Sequence, residues 1–229
     1  MMNEASKPAE MFPKEHPLFG HEALLDQLRD CGRLFHQRGW SVGTSSNYSA
    51  VLNHAPAELL ITASGKDKGR LERKDFVHIG ADGNGIEPNQ PKSSAETMLH
   101  VVLAELPDVG SVLHTHSVWG TLLSDYYFDR GGIEIAGYEM LKGLEGIPTH
   151  QTKHFIPIFE NTQDIATLAE EIRIKLADSE FSMTHGFLMR NHGLYTWGKD
   201  VAAARRHVEV YEFLFECEGR KLALPGKND

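Results

Sequence analysis

From Glu22 the apolar residues Leu24, Leu28, Cys31 and Phe35 recur at i, i+4, i+7 and i+11, one face of a helix that ends near Gly39. The cluster GTSSNYS at 43–49 breaks that pattern, and the apolar run 59–62 reads as a strand. Residues 76–81 alternate and run into DGNG at 82–85, which predicts a strand entering a tight hairpin turn. Helical spacing returns with Ala95, Met98, Leu99, Val102, Leu103 and Leu106 and stops at Pro107. A strand at 111–116, a helix through Trp119 and Leu122, and strands at 133–136 and 155–159 follow. Asp164 caps a helix carrying Ile165, Leu168, Ile172 and Leu176. Strands at 187–189 and 195–197 precede a long helix, capped by Asp200, with Val201, Ala204, Val208, Tyr211 and Phe215 on one face. Strands and helices alternate throughout, which predicts one α/β domain: a mixed or antiparallel sheet covered by helices on both sides.

Residues 1–16 are polar, contain two prolines and lack periodicity, so a flexible N-terminal tail ahead of a single domain over 17–229 is expected. A hydrophobic fraction of 41% and a charged fraction of 24% over 229 residues are ordinary for a globular chain. The net charge of −9, with no basic cluster, argues against nucleic acid or an anionic membrane surface as a partner. No apolar run approaches 18 residues, so no membrane span is expected. Cys31 and Cys217 lie far apart in amphipathic segments, as expected of reduced thiols in the cytoplasm. What stands out is 13 histidines.

Two of them form the strongest local signal. In a strand alternate residues share a face, so His114 and His116 of VLHTHS project together while Leu113 and Thr115 face the other way. Two imidazoles make a poor metal site alone; three protein ligands with an open position make a catalytic zinc site. His192, at the polar break NHG between two apolar runs, is the best third ligand. The competing reading is a polar strand face with two hydrogen-bonded histidines. His36, His54, His78, His100 and His207 read as surface or supporting residues.

Glu96 has two readings. Ser93-Ser94-Ala95-Glu96 fits a capping box, with Ser93 as N-cap and Glu96 returning to its backbone N–H, and this outweighs a catalytic role. Glu139, in GYEMLKG, reads from its surroundings as a solvated helix-start carboxylate. GTSSN at 43–47 and ASGKDKG at 63–69 offer backbone N–H groups, hydroxyls and Lys66 and Lys68, a fit for an anion. Neither has the spacing of a nucleotide-binding loop, which favours a small phosphorylated substrate.

GTSSN, TASGKDKG, SSAE, the HTH strand and RNHG, in this order and at these separations, resemble the class II aldolase and adducin-head family from about residue 20 to 224. GYEMLKG (137–143), PIFENT (157–162) and NHGLYTWG (191–198) are similar to the dehydratases of that family rather than to its sugar-phosphate aldolases. The resemblance implies a three-layer αβα sandwich around a largely antiparallel sheet, assembled as a homotetramer with active sites at subunit contacts. It implies a divalent metal, usually zinc (Zn2+), held by His114, His116 and His192, and a phosphorylated ketose substrate. Asn47, Ser64, Gly65 and Ser94 map onto the phosphate-binding loops, Glu139 onto the acid/base carboxylate of the dehydratases and Glu96 onto the base of the aldolases. The expected reaction is a metal-dependent dehydration. A class II aldolase or epimerase of the same fold is the first alternative and a non-catalytic binding module the second. Two positions depart from the family pattern: Ser46 stands where many relatives have glycine, and Ala95 where a serine or cysteine is expected.

Overall fold

The computed structural model describes residues 12–178, 181, 183 and 185–224. Among these, β1 (Asn47–His54), β2 (Ala57–Thr62), β3 (Phe76–Ile79), β4 (Ser111–Thr115), β5 (Gly132–Ile135), β6 (His154–Phe159), β7 (Gly186–Met189) and β8 (Gly193–Gly198) form one sheet in the order β3-β2-β1-β4-β8-β7-β6-β5. Every neighbouring pair is antiparallel except β6 and β7. The helices are α1 (Glu22–Gln37), α2 (Thr97–Ala104), α3 (Val118–Tyr126), α4 (Ile165–Ala177) and α5 (Val201–Ala223). Helices α1 and α3 pack against α5 on one side of the sheet, and α2 packs against α4 on the other, the expected sandwich. No helix among the described residues is long and apolar enough to cross a membrane.

The predicted caps form. Asp164 accepts the Thr167 N–H at 3.1 Å, and Asp200 accepts that of Ala203 at 2.7 Å. Cys31 and Cys217 are both free thiols. Of the expected tail, residues 1–11 lie outside the described residues; 12–16 form turns, with Phe12 packed on the cluster around Leu25 and Phe35.

Three local expectations are corrected. Residues 47–49 do not close a loop but open β1, where Asn47 and Ser49 are buried; a strand covered on both faces need not alternate polar with apolar. The DGNG turn after β3 returns no strand, only an isolated bridge between Ile79 and Gly85. The Gln90 side chain takes the place of one: it accepts the His78 N–H at 2.7 Å and donates to the His78 carbonyl at 3.1 Å. The capping box at 93–96 is absent. Helix α2 starts at Thr97, Glu96 makes no cap with its side chain, and Ser94 Oγ accepts the Glu96 N–H.

The register across the centre matters for function. Asn47 of β1 stands opposite His114 of β4, and His114 stands opposite Tyr195 of β8, so three polar side chains form one row across three strands.

Candidate metal centre and anion-binding cleft

Strand β4 is buried along its whole length, and its alternation sends Thr115 toward α5 and His114 toward α2. Thr115 donates to Oε1 of Glu212, a fully buried α5 carboxyl that burial pushes up to about 7. On the opposite side His114 lies flat on the Tyr195 ring and Nδ1 donates to the Leu194 carbonyl at 2.9 Å. That bond fixes the tautomer and leaves Nε2 as a bare lone pair, buried and with no hydrogen-bond partner. His116 follows the strand, its N–H bonded to the Trp40 carbonyl at 2.7 Å.

His192 arrives from the turn before β8. Asn191 takes a left-handed φ of 51°, and α3 holds the turn: Ser124 Oγ accepts the Asn191 N–H at 3.0 Å and Thr121 donates to the His192 carbonyl at 2.9 Å. Gly193 permits the approach, since a Cβ there would lie 2.0 Å from the Thr115 carbonyl oxygen.

The three rings converge. Centroids of His114, His116 and His192 stand 4.5 to 5.0 Å apart, and one nitrogen from each lies within 4.8 Å of the others. Burial pushes His116 down to about 4 and His114 well below its ordinary value, so both are neutral near pH 7, the form that ligates a metal. A buried, partnerless Nε2 aimed at two other imidazoles is costly unless something electrophilic sits there, so the residues fit a metal ion. Glu96 stands beside them, with Oε1 3.1 Å from His192 Nε2 and Oε2 3.6 Å from His114 Nε2.

A cleft beside the triad is lined by Thr44, Asn47, Ser64, Gly65, Lys68 and Ser94 together with Glu96, His116 and His192. The candidate ligand and anion-binding residues Asn47, Ser64, Gly65, Ser94 and Glu96 are therefore brought together with the triad, while Glu139 is not. Asn47 donates to Glu96 Oε2 at 2.9 Å and to Ser94 Oγ at 3.2 Å. Ser94 Oγ accepts from both Asn47 and the Glu96 backbone, which leaves its own proton for a ligand. Gly65 has φ 71° and Ser46 φ 72°; at Ser46 this is a left-handed backbone that strains a side chain and suits the glycine that the family resemblance implies there. The two lysines separate. Lys66 pairs with Asp75 at 2.8 Å. Lys68 is buried, donates among the described residues only to the carbonyls of Lys66 (2.8 Å) and Thr44 (3.3 Å), and is pushed down to about 8 by burial. It also helps depress His116, which shows how near its charge stands to the triad.

Glu139 is elsewhere. It opens a 3-10 turn at Glu139–Gly143, is two-thirds exposed, and pairs with Lys142 at 2.6 Å and His150 at 2.8 Å. The Lys142 ammonium holds its carboxyl below the usual range. Within one chain it does not line the cleft.

Sequence reasoning passed over Tyr195 and gave His100 only as a surface or supporting residue. His100 is fully buried and bonded to Asn47. Its signal was its spacing: it follows Glu96 by four residues, one turn along the same helix face. The buried Tyr195 hydroxyl is pushed well above its ordinary value by burial and then by the Glu96 charge.

Comparison with known proteins agrees with this geometry. Methylthioribulose-1-phosphate dehydratase of Marinobacter nauticus is 46% identical over 199 residues, 86% of this chain and 93% of the relative. The enzyme of that name from Pseudomonas aeruginosa is 46% identical over 205 residues, covering 89% and 97%. Among solved structures, YgbL from Escherichia coli superposes with a TM-score of 0.73 at 22% identity, over 90% of this chain and 91% of that one. L-fuculose-1-phosphate aldolase from Thermus thermophilus gives 0.67 at 18%, over 91% and 98%. These two establish the fold alone. The family model described as class II aldolase and adducin N-terminal domain matches residues 26–218, and with a three-histidine centre on that fold the chain belongs to this family.

Proposed function

We propose that the chain dehydrates 5-methylthioribulose 1-phosphate to 5-methylthio-2,3-dioxopentyl phosphate and water. The observation that carries this reading is the 46% identity, nearly end to end, to dehydratases of that name, on a chain that keeps the three-histidine centre. His114, His116 and His192 would hold a divalent ion, with zinc the first choice for three imidazoles. Such an ion supplies a Lewis acid where negative charge develops on the substrate oxygens.

The chain's own groups divide the remaining work. Lys68, Ser64, the Gly65 N–H and the free Ser94 proton would bind the phosphate, while Asn47 holds Glu96 and Ser94 in place. Removal of the C3 proton, next to the C2 ketone, is assigned to Glu139. The same carboxyl then returns that proton to the C4 hydroxyl as it leaves as water, and the enol tautomerises to the diketone. General acid/base assistance of this kind contributes roughly 10²–10⁴-fold. Because Glu139 stands outside the cleft of its own chain, it would act on a neighbouring subunit's cleft. Helix α3 supports assembly: directly after His116 it exposes Val118, Leu122 and Tyr126 along one face. A homotetramer with active sites at subunit contacts is the form we propose.

Glu96 favours a second reading. Its carboxylate, 3.1 Å from His192, stands where an aldolase of this fold would use a base, and retro-aldol cleavage would release a smaller phosphorylated fragment. Mass analysis of products from zinc-loaded protein and 5-methylthioribulose 1-phosphate separates the two. We expect loss of one water with every carbon retained, abolished by a chelator. A shortened phosphorylated product would move the aldolase to first place.

A further inference from the structure

A chain of polar groups runs from the sheet interior to Glu96, and chemistry fixes the sense of each bond in it. The Glu96 carboxylate accepts only, so the Asn47 atom 2.9 Å from Oε2 is the amide nitrogen. The Asn47 carbonyl oxygen therefore faces the other way, against Nε2 of His100. That nitrogen must carry a proton. In a neutral imidazole Nδ1 is then an acceptor, and it takes the Ser49 hydroxyl proton at 2.7 Å, a closer partner than the Val112 carbonyl 3.4 Å from the same hydroxyl. His100 is fully buried, and burial alone pushes it down to about 3, so it stays neutral and keeps this sense at any working pH.

We infer that His100 is a positioning residue for Glu96: by donating to Asn47 Oδ1 it decides which end of the amide faces the carboxylate, and so holds Glu96 against His192. Without that donor the two ends of the Asn47 amide are nearly equivalent in shape. A flipped amide would set its carbonyl oxygen against the Glu96 carboxylate, two acceptors with no proton between them, and Glu96 would leave. Ser94, which accepts the second Asn47 proton, would lose its anchor as well. The inference rests on the reading of Glu96 as part of the reaction site. It adds a residue of α2 that belongs neither to the triad nor to the cleft lining and reaches the cleft through Asn47.

The test compares His100→Leu, which fills the volume without a donor, with His100→Gln, whose amide nitrogen reaches about as far as Nε2. In H100L we expect kcat to fall roughly 10–100-fold with full metal content and little change in KM, as for other outer partners of a metal site. H100Q should recover most of the loss, and S49A, which frees the His100 tautomer, should fall between. In a Glu96→Gln background H100L should cost little more, because the group it positions is already disabled. Equal turnover by H100L and H100Q, or an H100L loss undiminished in E96Q, would overturn the inference.

Crystal structures of the two His100 variants decide the geometry apart from any reaction. Glu96 should leave its 3.1 Å contact with His192 in H100L and keep it in H100Q. Retention in H100L would refute the positioning role even if the protein is a dehydratase. Displacement in H100L, in a protein whose wild type forms no dehydrated product, would uphold the positioning role and refute the proposed reaction. Should H100L fail to fold, S49A takes its place in both measurements, and an S49A enzyme of wild-type turnover with Glu96 in place overturns the inference.

Discussion

The His114 imidazole and the Tyr195 ring lie face to face, centroids 4.0 Å apart and planes 14° from parallel. The two residues are register partners on β4 and β8, so the sheet itself sets the ring that carries the bare Nε2. Tyr195→Phe keeps the stack and should keep metal affinity. Tyr195→Leu removes the flat support and should weaken affinity about 10-fold or more, read by chelator competition. Equal affinities in the two variants would show that the Leu194 carbonyl suffices to orient His114.

Lys68 carries a buried charge that, among the described residues, donates only to carbonyl oxygens, whereas Lys66 is already paired with Asp75. Lys68→Met should raise KM, and the inhibition constant of inorganic phosphate, roughly 10–100-fold, the loss of one charge-assisted bond. Lys66→Met should leave both near wild type. Steady-state kinetics with phosphate as competitor distinguishes the two lysines.

Glu139 and the triad can be disabled separately. Glu139→Gln and His116→Ala homomers should each lose at least about 100-fold in kcat, the first as a general acid/base and the second through its metal. If Glu139 serves a neighbouring subunit, oligomers reassembled from a mixture of the two recover part of the activity, because some clefts receive a wild-type triad and a wild-type carboxylate. No recovery in verified mixed oligomers would confine Glu139 to its own chain.

A second histidine group makes stability depend on pH. His207 is buried against His185; its Nδ1 donates to the Trp197 carbonyl at 2.7 Å and its Nε2 accepts the Glu145 N–H at 3.1 Å. Burial pushes it from 6.5 down to about 4. Between those values the unfolded chain binds the proton and the folded one refuses it, so stability falls as pH falls through that window. Acidification from about pH 6.5 to 5 costs ~2 kcal/mol for this group. Glu212 opposes it, since burial raises its carboxyl from 4.5 to about 7 and the folded form keeps a proton that the unfolded chain releases. The clean measurement is the difference between wild type and His207→Gln in thermal unfolding at these two pH values. The variant should show the flatter dependence, and parallel curves would refute the assignment.

The three-histidine group was readable because its logic is local. Strand alternation alone puts His114 and His116 on one side, and NHG marks a turn where His192 can enter. Helices with a clear apolar face and an aspartate cap, α4 and α5, were readable for the same reason. Glu96 carried two readings because a capping box and a site carboxylate share one sequence pattern; the capping box fails in the structure, where the Glu96 side chain is instead held by Asn47, 49 residues earlier. Strand β1 escaped notice because its buried polar residues break the alternation that marks a half-solvated strand. Gln90 completing the edge of β3 with a side-chain amide follows from no periodicity at all.

The strand order has a consequence for synthesis on the ribosome. Strand β4 sits between β1, completed before it, and β8, which ends at Gly198. A nascent chain that has emerged through β4 holds two of the three imidazoles against an unpaired strand edge; the third arrives some 76 residues later, on the turn that also closes that edge. The same turn therefore completes the histidine triad and seals the middle of the sheet. A chain stopped short of residue 192 would have both an incomplete histidine triad and an unpaired, aggregation-prone strand edge at β4.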